Sequence, residues 1–221
     1  MLIYYFNDFD SVSEETVEQL INMMPAQQTE LVRSIKSPAH RREQTLGYVM
    51  LILALQRQMS AIRRRTIIIK QVPHSSFFLS HTAVPHWGFG EHGKPYLTNY
   101  PDIHFNISHC DKAIAVAVSN HEVGIDVEGR RRFNESLLQR AMNDEEQAAI
   151  HKSSDPEMEF AKLWTRKEAY FKWTGTGILL DHLKSAEADA KEAGCIVKSR
   201  LITPEFGNDS FYLSVAEKED E

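Results

Sequence analysis

Only two cysteines occur in the 221 residues, so a disulfide framework is excluded as the organising principle. The opening stretch "MLIYYFNDFD" has no basic segment and carries acids early. It reads as a first strand and not as a signal peptide, so Cys110 and Cys195 are expected as free thiols in a reducing, cytoplasmic setting. Long apolar runs are missing too: no window approaches the roughly 18 uninterrupted apolar residues of a membrane span. Positive charge is in deficit, with 25 Lys and Arg against 31 Asp and Glu and a net charge of −6, which disfavours a generic nucleic-acid binder. A glycine-rich phosphate loop is absent; "GTG" at 175–177 ends a helical pattern where such a loop would open one. His74, His81, His86, His92, His104 and His109 show neither the Cys-x₂-Cys nor the His-Glu-x-x-His spacing of a zinc site. What remains is ordinary for a globular protein, 42% hydrophobic and 25% charged, long enough for one large domain or two small ones.

The pattern along the chain mixes strands and helices. β-rich runs predict strands over 2–6, 65–72, 103–108, 113–119 and 123–128, with "CIVKSRLI" and "SFYLSVAE" as closing strands. Ser13 precedes "EETVEQLINMM", a helix that Pro25 ends. Residues 39–59 predict a long helix with an apolar stripe of Leu46, Val49, Met50, Leu53 and Ala54. Further helices are expected over 134–150 and 156–175, the latter stopped by Gly175. Residues 73–102 read as loop with short extended pieces, and the tail "EKEDE" as a frayed end. Strands and crossover helices do not alternate regularly, so the expected class is α+β with largely antiparallel sheets.

"HEVGIDVEGRRR" (121–132) places Asp126 and Glu128 on either side of one valine. In a strand, residues i and i+2 share a face, so the two acids aim together. Adjacent carboxylates repel unless a cation or a proton lies between them. Oxygen ligands of this kind suit Mg²⁺, although an Asp-x-Glu on a solvated strand end is the ordinary alternative. Trp164, Glu168 and Lys172 are spaced i, i+4, i+8 on one helical face, and the aromatic company of Phe160, Phe171 and Trp173 argues that this helix is largely buried. Upstream, Lys94, Ser108 and His109 offer donors for phosphate oxygens, and Asn106 can bind a ligand or brace a turn. Each alone is more commonly a satisfied loop side chain.

Three segments together, "GKPYLTNYPDIHFNISHC", "VGIDVEGRR" and "FAKLWTRKEAYFKWTGTGI", resemble the signature blocks of the 4′-phosphopantetheinyl transferases, of the larger surfactin-synthetase-activating (Sfp) type. The resemblance is dense over 93–177 and thin elsewhere. It implies transfer of the phosphopantetheine arm of coenzyme A to a serine of an apo acyl or peptidyl carrier protein, with adenosine 3′,5′-bisphosphate released. It implies Asp126, Glu128 and Glu168 as ligands of Mg²⁺ (or Mn²⁺), Glu168 also as the base, and Lys172 on the pyrophosphate. Ser108 and His109 would meet coenzyme A phosphates, and Lys94 and Pro95 would lie near the nucleotide. Basic residues of the first half help hold the 3′-phosphate in the family. Here "AQQTELVRSIK" has glutamines where some members have lysines, and Arg42 is the candidate replacement. The implied architecture is a monomeric pseudo-dimer of two similar α+β halves, near 1–120 and 121–221, with coenzyme A in the cleft between them. "RRRT" (63–66) and "GRRRF" (129–133) are candidate docks for an acidic carrier. A non-catalytic coenzyme A-binding protein and another Mg²⁺-dependent phosphoryl-transfer enzyme are the rival classes; no nucleic-acid or membrane partner is expected.

Overall fold

The central strands are apolar on both faces, and this sets the layer plan. In β1 (Leu2–Phe6), Leu2, Tyr4 and Phe6 face one core while Ile3 and Tyr5 face another. β6 (Ile114–Ser119) sorts its residues by size: Ile114, Val116 and Val118 join the first core, and Ala115 and Ala117 join the second with Ala113 just before them. A strand covered on both sides must lie inside a stack of layers. The computed structural model describes residues 1–60, 68–78, 85–205 and 209–219, and the layers in it run helices, sheet, sheet, helices.

The first sheet has the order β2-β1-β6-β5, with β2 at Ile68–Gln71 and β5 at His104–His109. The β1–β2 pair is parallel and the other pairs are antiparallel. Its outer face carries α1 (Glu14–Asn22), α2 (Ala26–Ser34) and α3 (Pro38–Ser60). A short hairpin, β3 (Trp87–Phe89) with β4 (Pro95–Leu97), lies beside it. The second sheet, antiparallel in the order β7-β9-β8, joins β7 (Val123–Glu128), β8 (Cys195–Ile202) and β9 (Phe211–Lys218). Over its outer face lie α4 (Glu135–Ala141), α5 (Asp144–Lys152), α6 (Pro156–Thr174) and α7 (Ala186–Glu192). The α+β class with largely antiparallel sheets is thus observed. Both cysteines are free, and no helix among the described residues is long and apolar enough to cross a membrane.

Several elements depart from the sequence pattern. The stripe expected on α3 is instead a helix buried all round, every residue from Thr45 to Leu55, as befits one pressed between α1 and the sheet. The single helix expected over 134–150 is two. Met142 turns extended, and Asn143 restarts the chain with a capping box in which its side chain takes the Glu146 N–H and Glu146 takes that of Asn143. Pro25 ends α1 but also opens α2, which was not anticipated, nor was α7. The strand predicted over 65–72 is seen at Ile68–Gln71; 65–67, "RRRT" and the last two residues of the tail lie outside the described residues.

Candidate active site

The site begins with a close approach. β7 sends Val123, Ile125 and Val127 into the core between the sheets, so Gly124, Asp126 and Glu128 face α6. A Cβ on Gly124 would lie 2.0 Å from the Ala169 carbonyl oxygen and 2.4 Å from the Trp173 nitrogen. Only glycine lets the strand rest on the helix backbone at this point. α6 is a well-ended helix. Asp155 caps its start, Pro156 occupies the first turn, and Gly175 closes it in the left-handed conformation at φ 75°. That fixes Trp164, Glu168 and Lys172 along the side turned toward Asp126.

Carboxylate oxygens of Asp126, Glu128 and Glu168 lie within 4.8 Å of one another. At an effective dielectric of about 20, each ionised pair at that range repels by on the order of 3 kcal/mol. Lys172 answers part of this, its Nζ 2.6 Å from Asp126 Oδ1 and 3.8 Å from Glu168. Trp164 donates its indole N–H to Glu168, and Arg131 both pairs with Glu128 and lies 4.4 Å over the Trp164 ring. Burial pushes the Glu128 carboxyl up to about 7, against the pull of Arg131 and helped by Asp126. Burial, then Asp126, does the same to Glu168, again to about 7. Asp126 itself is 3% exposed, and its Oδ2 is buried with no hydrogen-bond partner among the described residues. An orphaned carboxylate oxygen, in a set of three hard oxygen donors, fits a divalent cation such as Mg²⁺.

The first sheet reaches this centre through two side chains of β5. Asn106 Oδ1 accepts from the Ile125 N–H at 3.0 Å, and Ser108 Oγ from the Val127 N–H at 3.3 Å. They tie the edge of one sheet to the edge of the other where no backbone ladder joins them. Ser108 also accepts from Lys172 at 2.9 Å and donates to Asp126 Oδ1 at 2.7 Å. A hydroxyl has one donor and two acceptor positions, so all three are engaged here, by Asp126, the Val127 N–H and Lys172. His109 points to the other side. Its Nδ1 lies 3.3 Å from Glu43, which also meets His40 at 3.3 Å, and burial lowers its pKa below the usual imidazole value.

The remaining expectations divide. Lys94 donates to Glu122 at 2.7 Å and to the Trp173 carbonyl at 3.0 Å, closing the C-terminal end of α6 from the hairpin. Pro95 begins β4 and lines the cavities on both sides of it. Arg42 is not brought into the set: it donates to the Phe9 carbonyl and lies 4.0 Å from Glu14. In "GRRRF", Arg130 is bound to Asp155 and Arg131 to the site itself, which leaves Arg132 alone of the three without an ion pair among the described residues. Sequence reasoning grouped Arg131 with its neighbours as a carrier dock and did not assign it to the carboxylates, although it lies three residues after Glu128.

The model of the 4′-phosphopantetheinyl transferase superfamily matches residues 122–214. A 4′-phosphopantetheinyl transferase of Bacillus subtilis is 35% identical over 96 residues, covering 42% of this chain and 43% of that protein. The Sfp transferase of Bacillus subtilis strain 168 is 28% identical, covering 52% of this chain and 57% of its own. A third, ffp of Bacillus subtilis, is 24% identical over 87% of this chain and 84% of its own length. In the first two, the match therefore spans about half the relative's length.

Proposed function

Because the chain belongs to the 4′-phosphopantetheinyl transferase superfamily, of Sfp type, we propose that it moves the phosphopantetheine arm of coenzyme A onto a serine hydroxyl of an apo acyl or peptidyl carrier protein, releasing adenosine 3′,5′-bisphosphate. The observation that carries the proposal is the buried oxygen of Asp126 that has no partner among the described residues, inside a cluster with Glu128, Glu168 and Lys172. Mg²⁺ held by the three acids, with Mn²⁺ an alternative, would supply the positive charge that a diphosphate needs to be neutralised and oriented.

The chain's own groups account for the rest. Glu168 takes the proton of the carrier serine as its oxygen attacks the β-phosphorus, a role supported by its carboxyl being held near neutral pH and bound by Trp164. Lys172, one turn along, offsets the charge that grows on the departing bisphosphate. Ser108 keeps Asp126 and Lys172 in register through one hydroxyl, and His109 borders the path by which the nucleotide leaves. Lys94 and Pro95 hold the hairpin that walls this cleft.

We read the two sheet-and-helix units, near 1–120 and 121–221, as the halves of a pseudo-dimer. The turn between β6 and β7 supports that boundary, as does the placing of each unit's helices on its outer face. One chain supplies all three acids, which supports a monomer, and the free thiols support a cytoplasmic setting.

The test is direct. The protein is incubated with coenzyme A, Mg²⁺ and a panel of apo carrier proteins, and intact mass is read for the phosphopantetheine increment. Addition by the wild type, lost in Asp126→Ala, is the expected outcome. Coenzyme A binding with no addition to any carrier would support the non-catalytic alternative.

A further inference from the structure

A cavity of about 630 Å³ lies between α2, the start of α3 and strands β3 and β5. His109 lines it, and the charges of Asp126 and Lys172 both reach the His109 ring, so the cavity lies near the carboxylate cluster. On the transferase reading, the nucleotide of a donor held at the cluster runs past His109 into this cavity, where Trp87, Phe89 and Ile107 offer apolar surface to a base.

The polar part of this lining has a one-sided character. It consists of glutamine amides such as Gln28 and Gln44, the Ser34 hydroxyl, the Trp87 indole N–H, the His109 imidazole and two carboxylates, Glu30 and Glu43; no lysine or arginine lines it among the described residues. The arginines next to Glu43 turn away. Arg41 donates to the Ile35 carbonyl and lies 3.8 Å from Glu18, and Arg42 is committed to Phe9 and Glu14. The cationic capacity of His109 is already faced by Glu43. Amides and carboxylates are good partners for ribose hydroxyls. A phosphate monoester, with about −1.5 to −2 charge, meets repulsion from the same carboxylates. Dinucleotide sites use the same choice when an acid at the ribose selects a free hydroxyl over a phosphate.

We propose that this cavity does not select for the 3′-phosphate of coenzyme A, so that the chain uses dephospho-coenzyme A at least as well as coenzyme A; the inference rests on the transferase reading above. With that donor the serine oxygen forms its bond to the β-phosphorus. The bond from that phosphorus to the bridging oxygen breaks, its electron pair leaves on AMP, and the hydroxyl proton passes to Glu168.

Calorimetry with AMP and with adenosine 3′,5′-bisphosphate, in Mg²⁺, reads the cavity without any carrier. AMP binding as tightly as the bisphosphate, or more tightly, is expected; tighter binding of the bisphosphate overturns the inference. Glu43→Lys should raise the affinity for the bisphosphate relative to AMP by about tenfold, and Glu43→Gln should move the ratio the same way by less. A ratio unmoved in both variants also overturns it. In parallel, both donors are offered with the panel of apo carriers and the added mass is read. Transfer from coenzyme A alone overturns this inference and leaves the transferase reading standing; transfer from neither donor overturns both.

Discussion

The two oxygens of Asp126 have opposite fates. Oδ1 receives the Ser108 hydroxyl and the Lys172 ammonium, and Oδ2 has no partner among the described residues. On the proposed reading Ser108 is a positioning residue, and removing its hydroxyl frees the carboxylate to turn. Groups that orient a metal ligand in this way typically contribute 10- to 100-fold to metal affinity. Ser108→Ala is expected to raise the Mg²⁺ concentration for half-maximal transfer by roughly that factor, with much of the rate restored at saturating Mg²⁺. Asp126→Ala should not be restored. A Mg²⁺ titration of both variants separates the two outcomes. The raised carboxyls give a pH prediction. Glu128 and Glu168 hold their protons to about 7 in the fold against an ordinary value of 4.5. Their contribution to stability is complete below the ordinary value and is lost as pH rises through about 7. The same deprotonation readies the site for a cation. Stabilisation by saturating Mg²⁺, read as a shift in Tm, should therefore be larger at pH 8 than at pH 6. In Glu128→Gln the pH dependence should shrink, because one of the two titrations is gone.

At the level of elements, the contact of β7 with α6 is what turns sequence spacing into a site. Gly124→Ala puts a methyl where the helix backbone already is, 2.0 Å from the Ala169 oxygen. Neither partner can give way as a flexible side chain would, so strand and helix must part. A loss of stability of about 2 kcal/mol or more is expected, since overpacking against backbone exceeds the usual 1–3 kcal/mol range only at its rigid end. Denaturant melts would measure it, and transfer should fall more than folding does, because the acids on β7 lose their register with Glu168. Much of this geometry was legible in the sequence. The i, i+2 acids and the i, i+4, i+8 helix face need only the periods of strand and helix. What was not legible was anything set by the meeting of distant elements. That Ser108 and Asn106 brace β7, and that Arg42 points to α1, depend on which edges and faces pack together, which local period does not encode. The break between α4 and α5 is a different case. Asn143 and Glu146 stand at capping-box spacing in the sequence, but the apolar pattern runs through them and obscures the signal.

For the whole molecule, the decisive feature is the core between the two sheets. Ile3, Ala115 and Ala117 from the first sheet pack there with Ile125, Val127, Leu213 and Val215 from the second. Tyr5 of the first sheet meets Phe211 of the second edge to face across this core, and neither sheet face is suited to water. Separated, each half would expose this surface. Asn106 and Ser108 would also lose the backbone amides they satisfy across the boundary. The halves should accordingly unfold as one unit even though each has its own helices and its own outer core. Trp87 lies in the first half, and Trp164 and Trp173 lie in the second, so single-tryptophan variants can report on each half separately. Coincident denaturant midpoints are expected from both reporters. Ala115→Leu, which overfills the shared core, should lower both midpoints together, by an amount corresponding to about 1–3 kcal/mol. If only the first-half reporter moved, the shared core would not couple the halves, and the site built across them would have to be held by α6 and β7 alone.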